Sequence, residues 1–129
     1  MLEQRIKSVI RDVPDFPKPG IVFKDITPVL KDASLCKEIT RAFSEKFSGQ
    51  KIDAVVGIES RGFLFGFRLA EILNVPFILV RKAGKLPYKP LFRDYELEYG
   101  KATIEMQSDE ILPGSNVLIH DDLLATGGT

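Results

Sequence analysis

A chain of 129 residues with 18 basic and 18 acidic side chains is one domain at most, and its balanced charge offers no global field for nucleic acid or an anionic membrane. The single cysteine, Cys36, excludes an internal disulfide and fits a reducing compartment. No apolar run approaches the about 20 residues that span a bilayer, and Met1-Leu2-Glu3-Gln4-Arg5 lacks the basic-then-apolar order of a secretory signal, so the cytoplasm is the expected compartment.

From the N-terminus, Leu2, Ile6, Val9, Ile10 and Val13 fall at helical spacing, which predicts a helix from Leu2 to about Val13. Pro14, Pro17 and Pro19 then forbid regular structure and give Asp15-Phe16-Pro17-Lys18-Pro19-Gly20 an extended or turning path. Ile21 to Asp25 reads as a short strand, stopped before Pro28. Asp32 or Ser34 can cap a second helix, in which Leu35, Ile39, Ala42, Phe43 and Phe47 form one apolar stripe ended by Ser48-Gly49. Cys36 lies in this helix and reads as a packing residue.

An alternation typical of βαβ units follows, with a strand from Ile52 to Ile58, a helix from Gly62 to Leu73 and a strand from Pro76 to Val80. Residues 82–100 then hold Gly84, Pro87, Pro90 and the acidic-aromatic run Asp94-Tyr95-Glu96-Leu97-Glu98-Tyr99. An insertion of that length in a compact domain is expected to be functional or mobile. Ala102 to Met106 resumes as a strand, Leu112-Pro113-Gly114-Ser115 turns, and Asn116 to Asp121 is a last, buried parallel strand. The expected class is α/β, with a parallel-rich central sheet flanked by helices.

Three strand ends carry candidate chemistry. In Gly57-Ile58-Glu59-Ser60-Arg61-Gly62-Phe63, main-chain N–H groups, the Ser60 hydroxyl and the following helix N-terminus form an anion site, to which Arg61 adds a bidentate fork. Arg81-Lys82-Ala83-Gly84-Lys85-Leu86-Pro87 places three cations around a glycine. Taken singly, each of these motifs reads as solvated surface. The terminal segment is more specific: Asp121 and Asp122 close an apolar strand and are followed by Leu123-Leu124-Ala125-Thr126-Gly127-Gly128-Thr129. Carboxylates at the C-terminal end of a parallel strand sit where open α/β sheets bind ligands, and they accept from sugar hydroxyls. Small residues beside them let N–H groups converge on an anion. That pairing suits a phosphorylated sugar. His120 points to the opposite face from Asp121 and reads as structural, and no spacing suggests a protein-built metal cage.

Together these segments resemble the type I phosphoribosyltransferases, and among them the adenine-specific branch, along nearly the whole chain. The resemblance implies the type I phosphoribosyltransferase fold in a single domain, 1–129. Within it, residues 1–30 would form an N-terminal helix and a small base-recognition hood. Residues 31–129 would form the α/β core, with a flexible catalytic loop at about 82–100. The implied reaction is purine salvage, converting adenine and phosphoribosyl pyrophosphate to AMP and pyrophosphate.

By the same resemblance, Ser60, Arg61, Lys82 and Lys85 match pyrophosphate-binding positions, and the Glu59–Ser60 peptide is expected to be cis. Asp121 and Asp122 match ribose-binding positions, and Ala125, Thr126, Gly127, Gly128 and Thr129 the loop that holds the 5-phosphate. Leu97-Glu98-Tyr99-Gly100 is similar to an element whose glutamate, here Glu98, acts as general acid or base at the purine. Ile21 to Pro28 resembles the base-recognition element. Phe23 would offer one ring face, Leu123 the other, and the main chain at Val22 and Lys24 would read the exocyclic amine and ring nitrogen. The implied catalytic set is Glu98, Lys85, Arg61, Asp121 and Asp122. Mg²⁺ is expected through the substrate's pyrophosphate and waters, with no ligand from the protein directly. A homodimer is implied, with no nucleic-acid or membrane partner.

Two alternatives stand beside this reading: a non-catalytic domain that binds a nucleotide or sugar phosphate, and a transferase for another base such as hypoxanthine, guanine or orotate. Members of the family continue past the glycine loop with a helix and at least one more strand. Their absence from this chain predicts an exposed apolar patch on the sheet and leaves the activity of the 129 residues alone as a separate question.

Overall fold

Pro14 sets the path of the N-terminal segment, because a proline drives the residue before it out of the helical region. In the computed structural model of the protein, which describes residues 1–97 and 100–123, helix α1 (Leu2–Val9) stops short of the expected Val13. Arg11–Pro14 is instead a strand, β1, paired antiparallel with β2 (Val22–Asp25). Helical spacing of Ile10 and Val13 loses here to proline geometry and to strand pairing. Between the two strands the Phe16–Pro17 peptide is cis, and Gly20 turns the chain at φ +86 while its N–H donates to Asp15 Oδ1.

A single helical turn, α2 (Thr27–Leu30), leads to α3 (Ala33–Lys46). Asp32 caps α3 as expected, its Oδ1 accepting the Leu35 N–H at 2.9 Å. Leu35, Cys36, Ile39 and Thr40 form the buried face of α3, and the Cys36 thiol donates to the Val29 carbonyl. Arg5 of α1 bonds Glu38 and Asp32 and so ties the first helix to the third. The contacts of the chain divide it into two units, Met1–Lys46 and Phe47–Thr129.

The second unit is built on a five-stranded sheet. Its strands are β3 (Ala54–Ile58), β4 (Phe77–Lys82), β5 (Pro90–Leu97), β6 (Gly100–Gln107) and β7 (Val117–His120), in the order β5-β6-β4-β3-β7. β3 pairs parallel with both β4 and β7, whereas β6 runs antiparallel to β4 and to β5. The parallel part was expected. The long insertion expected over 82–100 divides instead into a short basic loop and the strand β5, whose weak alternation reflects a ribbon exposed on both faces at Leu91 and Phe92.

β3 lies between its two parallel neighbours, β4 and β7, buried from Ala54 through Gly57, as its unbroken apolar run predicts. On one face Ala54, Val56, Ile78 and Val80 cluster with Ile104, Met106 and Val117. On the other, helix α4 (Gly62–Leu73) packs Phe65, Leu69 and Ala70 inward. Two glycines admit the Phe77 ring beneath this helix. A Cβ on Gly57 would lie 2.3 Å from Phe77 Cζ, and one on Gly66 would lie 2.9 Å from its Cε1. Among the described residues, no helix is long and apolar enough to cross a membrane.

Candidate active site

Because β4, β3 and β7 are parallel neighbours, their C-terminal ends share one edge of the sheet, and the three sequence motifs meet there. From β3 the chain turns through Glu59, Ser60 and Arg61 into α4, with a cis peptide between Glu59 and Ser60, as the resemblance implies. No side chain caps α4; its first turn closes on the loop before it, the Phe63 and Leu64 N–H groups donating to the Ser60 and Arg61 carbonyls at 3.1 and 3.2 Å. From β7 the chain reaches Asp121 and Asp122. Arg61 Nε lies 3.0 Å from Asp122 Oδ2, in a pair whose Asp122 side chain is 11% exposed.

The start of α4 is pressed against this carboxylate pair. A Cβ on Gly62 would stand 3.0 Å from the His120 carbonyl oxygen and 3.1 Å from Asp121 Oδ1. Asp121 Oδ1 also accepts the Asp122 N–H at 2.9 Å. Burial, aided by the charge of Asp122, pushes the Asp121 carboxyl up against the opposing pull of that N–H and of Arg61. The His120 imidazole lies beside Gly66, and burial lowers its pKa against the partial opposition of Asp122.

The β4 end is organised by Glu59, a residue to which the sequence reading assigns no role. Its carboxylate accepts the Lys82 N–H at 2.6 Å and faces the Arg81 guanidinium through two contacts of 3.3 Å. Burial would raise this carboxyl, but the Lys82 N–H, the Arg81 pairing and the charge of Lys85 outweigh it and hold it below the usual carboxylate range. Arg81 in turn lies over the Phe63 ring, 5.9 Å from its centroid. Glu59 thus locks two strand ends together. The only hint in the sequence is an acid closing a wholly apolar strand.

Glu59, Arg81, Lys82, Tyr95 and Asp121 line a cleft of ≈ 90 Å³ with Ile58 and Ile104. A larger cleft of ≈ 390 Å³ lies at the opposite ends of the same strands, between Lys51–Ala54 and Glu110–Ser115. Volume does not select the site; the convergence of cations, carboxylates and a helix N-terminus does.

The remaining candidates fall in three groups. Ser60, Lys82 and Lys85 are exposed around the edge just described, and Leu123 follows the carboxylates, half-exposed. Val22, Phe23 and Lys24 lie on β2 in the first unit, where the Phe16 ring meets Phe23 edge-on at 5.1 Å. The Ile21 carbonyl accepts the Phe16 N–H, so the two-residue period of a strand turns the main chain of Val22 and Lys24 away from β1. Glu98, Ala125, Thr126, Gly127, Gly128 and Thr129 lie outside the described residues.

Comparison with known proteins matches residues 27–129 to the phosphoribosyl transferase domain. An adenine phosphoribosyltransferase of Cytophaga hutchinsonii is 54% identical over 129 residues, covering 100% of this chain and 71% of that relative. The crystal structure of adenine phosphoribosyltransferase from Thermoanaerobacter pseudethanolicus superposes with a TM-score of 0.94 at 52% identity, over 99% of this chain and 74% of that one. The Saccharomyces cerevisiae enzyme, complexed with an imino-altritol bisphosphate and adenine, superposes with a TM-score of 0.91 at 46% identity, over 98% and 74%. These relatives share the mixed central sheet flanked by helices and are longer than this chain.

Proposed function

The chain belongs to the phosphoribosyltransferase family, and we propose that it converts adenine and phosphoribosyl pyrophosphate to AMP and pyrophosphate in purine salvage. The observation that supports this reading is the Arg61–Asp122 pair beside Asp121, a guanidinium and two carboxylates at one end of the parallel strands, as a sugar phosphate would require.

The reaction is displacement at the anomeric carbon. The bond to pyrophosphate breaks with its electron pair leaving on oxygen, a bond forms from an adenine ring nitrogen, and that nitrogen's proton passes to a base. Glu98 is the assigned base. Asp121 and Asp122 hold the ribose hydroxyls and favour the positive charge that spreads over the ring. A carboxylate has room for both partners, so Asp122 can keep Arg61 on one oxygen and accept a hydroxyl on the other. Ser60, Arg61, Lys82 and Lys85 take the charge of the departing pyrophosphate, and Ala125 to Thr129 hold the 5-phosphate. Catalysis is then mostly positioning and electrostatic stabilisation.

Val22 and Lys24 offer main-chain groups to the purine edge, while Phe23 and Leu123 offer apolar faces. Magnesium fits this donor set as a guest of the substrate. Asp122 and Asp121 each have one oxygen engaged and would keep the other for a ribose hydroxyl, so pyrophosphate oxygens and waters would hold the ion, whose charge would help the leaving group depart. The working form in this reading is a cytoplasmic homodimer. Adenine-dependent release of pyrophosphate tests the proposal. Equimolar AMP and pyrophosphate support it, and tight binding of phosphoribosyl pyrophosphate without product would make the protein a sensor instead.

A further inference from the structure

We propose that Glu105 is a positioning residue, which holds the basic loop after β4, and through it Lys85, in place for the substrate's pyrophosphate. The inference rests on the transfer reaction proposed above and adds a residue that does not itself touch the reacting atoms.

Glu105 stands in β6 directly opposite Arg81 of β4. Its neighbours Ile104 and Met106 pack onto the cluster on one sheet face, so the two-residue period sends Glu105 to the other. There it is 2% exposed, the most deeply buried charged residue among those described. A carboxylate so enclosed requires donors. It finds them in the loop: Oε1 accepts the N–H of Lys85 at 3.0 Å and of Leu86 at 2.8 Å. Gly84, at φ +85, supplies the left-handed turn that brings two successive N–H groups onto one oxygen. This is the geometry of an anion nest, with the anion supplied from a rigid strand.

Both flanks of the loop are tied to the same strand. The Ala83 N–H donates to the Thr103 carbonyl at 3.1 Å and the Lys89 N–H to Gln107 Oε1 at 3.0 Å. Glu105 is the central point of three, and the only charged one. The Lys85 side chain is exposed, and its charge is felt at Glu59 on the site edge. Fixing the Lys85 main chain therefore limits where that ammonium can go.

Steady-state kinetics of Lys85→Ala, Glu105→Ala, Glu105→Gln and the Glu105→Ala/Lys85→Ala and Glu105→Gln/Lys85→Ala pairs test the assignment. Loss of a charge-assisted acceptor in Glu105→Ala should raise KM for phosphoribosyl pyrophosphate about tenfold while KM for adenine stays within about twofold. Glu105→Gln keeps an acceptor oxygen without the charge and should raise it about threefold. Either effect should largely vanish in the Lys85→Ala background, which a merely structural role would not produce.

If Glu105→Ala does not fold, Glu105→Gln carries the test. A normal KM for phosphoribosyl pyrophosphate in the folded variants, or an undiminished effect in the double variants, overturns the proposal. So does a normal KM in Lys85→Ala while transfer proceeds, which leaves the transfer reading standing. Should the wild type show no transfer at all, that reading falls by itself. Amide exchange at Lys85 and Leu86 then still reads the anchor: protection lowered in Glu105→Gln supports it, and protection equal to wild type overturns it.

Discussion

In the proposed reaction, Asp122 is the residue on which the sugar half of the site turns. Its side chain is nearly enclosed, yet its long-range partner among the described residues is Arg61, which is 39% exposed. An ion pair with one solvated member contributes little to stability, while a fixed negative charge beside a developing cation contributes to rate. Asp122→Asn should therefore lower kcat at least about tenfold. Its cost in unfolding free energy should be about 1 kcal/mol or less. Turnover close to wild type would remove Asp122 from charge stabilisation.

His120 makes a separate prediction at the same scale. Burial lowers its pKa below the ordinary 6.5. The unfolded chain then binds the proton more readily than the fold does, so stability is full above that value and falls as pH drops through it. Asp121 acts in the opposite sense, since its raised carboxyl favours the folded state at low pH and gives that stability up as pH rises. Its window lies nearer the carboxylate range, so His120 governs the near-neutral region. Urea midpoints measured from pH 7.5 to 5.5 should fall toward acid, and His120→Gln should flatten that slope. An unchanged slope in the variant would assign the effect to another group.

Among the elements, α4 does most to shape the site, and it does so through what it lacks. Gly66, with Gly57 of β3 facing it, leaves room for the Phe77 ring, and Gly62 lets the helix start against the β7 end. Gly57→Ala would drive a methyl into the ring at 2.3 Å. It should cost about 1–3 kcal/mol in thermal or urea unfolding, the usual range for overpacking a filled core. At Gly62 the nearest atoms are a main-chain carbonyl and Asp121 itself. Gly62→Ala should thus act on KM for phosphoribosyl pyrophosphate more than on stability, and a purely thermal effect would contradict this account of the helix start.

These elements also mark how far the sequence could be read. β3, α4, β4 and β7 were legible because a continuous apolar run or a helical stripe leaves few alternatives. The end of α1 was not, since Ile10 and Val13 fit a helix until pairing with Val22–Asp25 takes their segment. β5 was missed because neither of its faces is buried enough to impose alternation. Arg61, Asp121 and Asp122 could be placed at strand ends from the motifs alone. Glu59 and Glu105 could not be given work, because their partners lie 22–23 and 19–20 residues away and meet them only through strand register.

At the scale of the whole molecule, the topology explains why a short chain can hold a multi-part site. Three parallel strands deliver an arginine loop, a basic loop and a carboxylate pair to one edge, each with a single strand-to-loop junction. The antiparallel β5–β6 ribbon adds the strand that carries Glu105. In the proposed function, purine recognition would fall to the main chain of β2, where a donor and an acceptor would favour a 6-amino over a 6-oxo purine.

A substrate panel tests the proposed adenine transfer most directly. kcat/KM should be measured with phosphoribosyl pyrophosphate and adenine, hypoxanthine, guanine or orotate in turn. The account predicts AMP from adenine, with the other bases slower by about a hundredfold or more, as expected when a mismatched base leaves buried polar groups unpaired. Equal or better turnover with hypoxanthine would contradict it.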